Sequence, residues 1–409
     1  MRRRDFLQAA GGMLAAGGTL LPAQAPGEIG AVPEWEAPLL ALDKWVKAPV
    51  RIQSIELLRL KNNYFVRARS TDGLEGIVQT KQVDDYIPIL LRRVIPHFLG
   101  KDARELERLV DSVYIANYKM AGQSFWAPVA YVEQCLFDLL GKAANKPVGV
   151  LLGGVLRKEI PVYLSGSTRD TSAEQEVEIY ERGVSQTGAK AVKFKIGGRM
   201  SRNADAYPGR TEKMMKLARK KLGAGVVIYA DANGSYDSKK AIDVGRMLED
   251  LDIGFFEEPC PWEERSETRK VADALKMFVA AGEQDSSAWL FHWMIENRVM
   301  NIVQPDLNYN GGFLRTARVA RMAQKAGMKI VPHNTQTGPA SVNILQFASA
   351  IPNIGPYMEF PWRKPHAAES WYSPQFAIRN GVLQVPQGPG LGVEFDPQYL
   401  ARATKVQAE

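Results

Sequence analysis

"VVIYADANG", residues 226–234, runs through five residues suited to a buried strand and closes on Asp231, with Asn233 and Gly234 as turn formers behind it. The run is too short for a helix and is bounded by glycines, so it predicts a buried strand that ends on a carboxylate. The same shape recurs in "PVYLSG" (161–166), "AVKFKIG" (191–197), "IGFFEEP" (253–259), "FVAAGEQ" (278–284), "NIVQPDL" (301–307), "KIVPHN" (329–334) and "PYMEF" (356–360). Amphipathic helical stretches separate these segments. Eight short strands alternating with helices predict a parallel (β/α)8-type TIM barrel over residues 161–360. A doubly wound open sheet is the runner-up, but no G-x-G-x-x-G turn follows the first strand.

Ahead of the barrel, residues 51–160 read as a small α+β unit. Three strands lie between residues 51 and 80, with Asp72-Gly73 as a hairpin turn, and helical stretches follow at 86–97, 103–117 and 126–145. Residues 26–50 read as a linker. At the N-terminus, "RRRDFLQAAGGMLAAGGTLLPAQA" has a charged start, an apolar middle and a small-x-small end at Ala23-Gln24-Ala25. Arg3, Arg4, Phe6 and Leu7 resemble the twin-arginine export signal, so residues 1–25 are expected to be cleaved and the protein to reach the periplasm. The apolar stretch is short for a bilayer span, and no stable membrane anchor is expected.

The whole chain of 409 residues is 45% hydrophobic and 24% charged, an ordinary globular composition. Its net charge of +7 is dispersed and does not argue for nucleic acid. The densest basic run, from Lys213 to Gly223, places Met214, Met215, Leu217, Ala218 and Leu222 at helical spacing and reads as a solvated helix face. Cys135 and Cys260 read as free, partly buried thiols.

Ionisable residues close the strands in register. Lys195, Asp231, Glu257, Glu283, Asp306, His333 and Glu359 stand one per unit, and from Asp231 onward they are 26, 26, 23, 27 and 26 positions apart. In a barrel the C-terminal strand ends form the active-site face, so these groups should converge. Asp231, Glu257 and Glu283 come from three successive strands, and three adjacent carboxylates repel unless a cation sits among them. Ligation by oxygen alone favours Mg²⁺ first and Mn²⁺ second. Asn233 shares the parity of Asp231 and could orient a ligand or touch substrate. Asp306 and His333 end neighbouring strands, which suits a carboxylate that fixes an imidazole tautomer. In "VKFKIG", Val192, Phe194 and Ile196 share one face while Lys193 and Lys195 share the other, about 6.5 Å apart. Bases on both sides of a cation suit removal of the weakly acidic proton beside a carboxylate. A lysine serves as such a base if its pKa is lowered, and burial, a second ammonium and a nearby cation all act in that direction.

These residues resemble the enolase superfamily, and within it the mandelate racemase-like subgroup, as an acid-sugar dehydratase-like member of the mandelate racemase/muconate lactonizing enzyme family. The matches are "KFK", "DANG", "FEEP", "AAGEQ", "VQPDLNYNGG", "VPHN" and "MEF", in order, with "GVLQVPQGPGLGVEFD" near the C-terminus. The resemblance implies a modified (β/α)7β barrel whose N-terminal capping domain is completed by residues 361–409. It implies Asp231, Glu257 and Glu283 as Mg²⁺ ligands, Glu257 rather than Glu258 being the one used. Lys195 would be the base on one face with Lys193 assisting, His333 with Asp306 the acid/base on the other, and Glu359 an acid on the enediolate oxygen or a substrate contact. The lysine that muconate-cycloisomerase-like members carry near "QPDLNYNGG" is missing here.

The expected activity is dehydration of an acid sugar or related 2-hydroxy acid to a 2-keto acid. Alternatives are a racemase or epimerase using the same residues, or an exported binding protein without catalysis. A glycosidase barrel would explain neither the lysine pair nor the Asp306/His333 dyad. The capping loops near Lys61–Tyr64 and Thr80–Asp85 are expected to choose the small-molecule carboxylate, with Tyr64 and Lys81 as candidate contacts. A homo-oligomer is expected.

Overall fold

The computed structural model describes residues 33–81, 83–364 and 368–407, so the export segment and the start of the linker lie outside the described residues. Residues 38–409 form one compact unit. The second half of the expected linker packs down: Leu42, Val46 and Val50 are buried, and Glu107 accepts the backbone N–H groups of Leu39 and Leu40.

In the cap, β1 (Ile52–Leu60), β2 (Asn63–Ser70) and β3 (Glu75–Gln79) form an antiparallel sheet in the order β1-β2-β3. Short helical turns span 84–98, and helices α1 (Leu106–Ala116) and α2 (Gln123–Ala144) follow. Most of α2 is buried, as expected for an apolar helix laid across a sheet. Gly76 lets β3 approach it: a Cβ there would lie 2.4 Å from the Cys135 carbonyl oxygen and 2.7 Å from the Leu139 nitrogen. Both cysteines are free and buried.

The barrel strands are β4 (Glu159–Ser165), β5 (Ala191–Lys195), β6 (Val227–Asp231), β7 (Phe255–Glu257), β8 (Phe278–Ala281), β9 (Ile302–Val303), β10 (Lys329–Ile330) and β11 (Met358–Pro361). They pair in parallel in the order β10-β9-β8-β7-β6-β5-β4-β11, and a bridge from Ile330 to Ile354 joins β10 to the chain leading into β11. All eight expected strands are present. Leu164, Val192, Phe194, Ile196, Ile228, Ala230, Phe256 and Val279 lie in one outer core against the helices, the face that strand alternation predicts. Inside, Tyr229 stacks on Phe255 at 3.8 Å and Tyr163 meets Tyr229 edge-on at 5.2 Å, an aromatic floor beneath the site.

The C-terminal segment returns to both halves. Leu383 pairs antiparallel with Ile160 of β4, an added strand that the barrel pattern does not announce. Lys405 pairs with Leu58 of β1, and Trp371, Phe395 and Tyr399 surround Phe65 of β2.

Candidate active site

Register brings the strand-end groups to one level. Lys195 is the partner of Asp231, Asp231 of Glu257, and a bridge pairs Asp306 with His333. Parallel strands in that register place one carboxylate each from β6, β7 and the β8 end side by side. One oxygen each of Asp231, Glu257 and Glu283 all lie within 4.8 Å of one another, and all three residues are buried. Glu283 Oε2 is buried with no hydrogen-bond partner among the described residues, and His333 Nε2 stands 3.5 Å away. Three oxygen donors with one uncommitted lone-pair set fit a hard divalent cation rather than a soft one.

Both lysines enter this cluster. Lys193 Nζ contacts both oxygens of Glu257 at 2.8 Å, Glu359 Oε1 at 2.9 Å and Asp231 Oδ2 at 3.5 Å, and it is fully buried. Lys195 Nζ donates to Asp231 Oδ2. The expected lowering of a lysine pKa is reversed at Lys193. Burial opposes its charge, but Glu257, Glu359 and Asp231 outweigh burial and hold the ammonium well above its ordinary range. The same contacts act on their partners. Against burial, Lys193, His333 and Lys195 hold Glu359 down at about 2. Burial and the Asp231 charge push Glu257 up to about 8.

On the far flank, His333 Nδ1 lies 2.8 Å from Asp306 Oδ2. Asp306 Oδ1 accepts the backbone N–H groups of Asn308 at 2.7 Å and Tyr309 at 3.1 Å. Burial works against the imidazolium, yet Glu283, Asp306 and Glu359 raise His333 to about 9. Lys81, from the cap, contacts Asp306 Oδ2 at 3.4 Å and the Tyr309 hydroxyl at 2.8 Å.

A cavity of about 880 Å³ opens above these groups. Lys195, Asn233, Glu283, His333, Glu359 and Lys81 line it, whereas Asp231, Glu257, Lys193 and Asp306 lie beneath that surface. Tyr64, expected as a substrate contact, is buried instead, with its hydroxyl 2.6 Å from Asp84 and no place in the cavity wall. Asn233 adopts a left-handed φ of 42°, which turns its N–H onto Asp231 Oδ1 at 2.9 Å and its side chain towards Glu258 Oε2 at 3.3 Å.

Several contributors escaped the strand-end pattern. Gln304 Nε2 donates to Glu257 Oε2 at 2.9 Å, and its spacing of two from Asp306 was the available signal. Glu258 lines the cavity, and burial with the neighbouring carboxylates raises its pKa well above the usual range. Arg169 donates to Asn233 Oδ1 at 3.1 Å from a loop whose sequence carries no such hint.

Residues 39–153 match the mandelate racemase/muconate lactonizing enzyme N-terminal domain, and residues 175–399 match the enolase C-terminal domain-like family. Arabinonate dehydratase of Saccharolobus solfataricus is 30% identical over 331 residues, covering 79% of this chain and 85% of that one. D-galactarolactone cycloisomerase of Agrobacterium fabrum is 29% identical over 74% of this chain and 80% of its own. The structure of a mandelate racemase/muconate lactonizing protein from Paracoccus denitrificans complexed with magnesium superposes with a TM-score of 0.81 at 27% identity, covering 88% of this chain and all of that one.

Proposed function

We propose, for a chain that belongs to the enolase superfamily through its mandelate racemase/muconate lactonizing enzyme domains, that it dehydrates an acid sugar or related 2-hydroxy acid to a 2-keto acid, with Mg²⁺ held by Asp231, Glu257 and Glu283. The observation that carries this is the flanking of one carboxylate triad by two proton carriers, Lys195 at Asp231 and His333 at Glu283, both on the cavity wall. Relatives named for the dehydration of arabinonate, xylonate and gluconate support the hydro-lyase choice.

Asp231, Glu257 and Glu283 would hold a divalent cation, which when bound would supply positive charge beside the substrate carboxylate. Lys195 takes the α-proton. The C–H electrons form the enediolate, whose oxygens Lys193 helps to neutralise. Collapse of the enediolate breaks the β-carbon–oxygen bond, and His333 protonates the departing hydroxyl to give water and an enol. The enol then tautomerises to the 2-keto acid. Asp306 holds His333 in the tautomer that points Nε2 at the cavity. A racemase or cycloisomerase would use the same two flanks, and the cycloisomerase relative favours keeping that second reading.

The test is incubation with Mg²⁺ in D₂O with aldonates, aldarates and simpler 2-hydroxy acids. Dehydration gives a 2-keto product, and an isomerase gives deuterium at the α-carbon without loss of water. Lys195→Ala should abolish both signals. Turnover that survives chelation, or survives in that variant, would overturn the assignment. The periplasmic location is part of the same proposal and rests on Arg3, Arg4, Phe6 and Leu7. No helix among the described residues is long and apolar enough to cross a membrane. A mature N-terminus near residue 26 in the periplasmic fraction is the expected result.

A further inference from the structure

Helix α2 belongs to the cap, yet its polar residues reach the strand-end loops on one side of the site. At its start, Gln123 Nε2 donates to the backbone oxygen and to Oε1 of Gln284, both at 2.9 Å, and Gln284 Nε2 donates to Glu283 Oε1 at 3.1 Å. Midway, the Glu133 carboxylate accepts the backbone N–H groups of Phe313 and Leu314, the start of the helix after the Asp306 loop. Beside it, Gln134 Nε2 donates to Asn308 Oδ1 at 3.1 Å and Gln134 Oε1 accepts from Asn343 Nδ2 at 3.0 Å.

From Asn308 a relay of amides continues. Asn308 Nδ2 donates to Gln336 Oε1 at 3.1 Å, and the Gln336 N–H donates to Asn334 Oδ1 at 3.1 Å. Asn334 N–H then donates to Glu359 Oε2, and Asn334 Nδ2 to the Glu359 backbone oxygen, each at 3.0 Å. Gln134, Asn343, Asn308 and Asn334 are 0%, 2%, 3% and 4% exposed. Amides so deeply buried are costly unless paired, and a relay of them defines one arrangement of the loops it joins. It runs beside Asp306, His333 and Glu359. The other flank is tied within the barrel: Ile196 N–H donates to the Asp231 carbonyl at 2.8 Å, and Arg169 holds that carbonyl and Asn233.

We propose that Gln134 is a positioning residue for the acid half of the reaction. Through Asn308, Gln336 and Asn334 it fixes the loops that carry Asp306 and His333 and ties them to Glu359 of β11, while the proton-abstracting flank at Lys195 is held, among the described residues, by barrel contacts. The kinetic part of this inference rests on the function proposed above. A displacement of about 1 Å at a reacting group costs on the order of 100-fold in rate. Replacing Gln134 by Met, similar in size but without the amide, should lower the kcat for water elimination 10- to 100-fold with KM within twofold, while α-deuterium exchange stays within twofold of wild type.

Gln336→Met breaks the relay at a half-buried link without touching α2 and should give the same split, which covers the case of a poorly folded Gln134 variant. A readout that needs no substrate is solvent exchange of the His333 Nδ1 proton by NMR in EDTA-treated protein, expected to be at least 10-fold faster in either variant. Elimination and exchange falling by the same factor, both remaining unchanged, or an unaltered Nδ1 proton would each overturn the proposal. If the wild type turns over no acid at all, the functional reading fails, and the imidazole proton still decides the positioning role.

Discussion

Asp306→Asn separates charge from shape at the His333 flank. Asp306 Oδ1 anchors its loop by accepting from Asn308 and Tyr309, and an asparagine oxygen in that position retains both hydrogen bonds. At Oδ2, however, an amide NH₂ would face His333 Nδ1, so the imidazole loses its acceptor and the charge that stabilises its protonated form. The wild-type group lies at about 9, against an ordinary value of 6.5, with burial opposing and Glu283, Asp306 and Glu359 favouring protonation. A histidine raised in this way stabilises the fold fully below pH 6.5 and loses that contribution as pH rises through about 9. The gap corresponds to about 3 kcal/mol. In EDTA-treated protein, wild-type unfolding free energy from urea titration should fall by up to that amount between pH 6 and pH 10. The variant should lose most of the slope. Histidine-selective NMR should move the His333 midpoint down by at least one pH unit and leave His97 and His292 in place. A midpoint within 0.3 of wild type would refute the assignment of Asp306 as the partner that sets His333.

Three further outcomes are expected. Lys193→Met leaves Glu257 and Glu359 without their buried counter-charge and should destabilise the EDTA-treated protein by about 3–5 kcal/mol, read from the urea midpoint; a change under 1 kcal/mol would contradict the contacts described. Mg²⁺ added to EDTA-treated protein should raise its stability by about 2.7 kcal/mol at a hundredfold excess over Kd, an effect that Glu283→Gln should diminish and that thermal unfolding would detect. Gly76→Ala forces a methyl into the backbone of α2 and should cost about 1–3 kcal/mol or more without moving any group at the site, so stability and metal affinity should part company in that variant.

The barrel was legible because its strands repeat one simple form, a short apolar run that closes on polar residues or glycine, and on an ionisable group in seven of the eight. Strand parity alone placed Val192, Phe194 and Ile196 outward and Lys193 and Lys195 inward, as the core confirms. Adjacent strand ends likewise brought Asp306 to His333. What parity leaves open is distance across the barrel. That Lys193 reaches Glu257 and Glu359, and so stays charged, depends on strands 64 and 166 residues away from it. Position along the chain suggests a capping loop near Lys61–Tyr64, but Tyr64 belongs to β2 and Asp84 draws its hydroxyl into the cap. The amide relay is invisible to local pattern, since Gln134 and Asn343 are 209 residues apart and each is an unremarkable residue in a helical stretch.

The pairing of Lys405 with Leu58, and of Tyr399 with Asn63 at 2.9 Å across 336 residues, has a consequence for the order in which the chain matures. As the ribosome releases it, the cap's sheet is synthesised early but lacks its fourth strand and the aromatic lid over Phe65 until Phe395, Tyr399 and Lys405 emerge. At about 5–20 residues per second that interval is roughly 20 to 70 s. During it, the β1 edge and the Phe65 pocket stand open, so the nascent cap carries an unpaired strand edge and an uncovered apolar pocket while the barrel is being made.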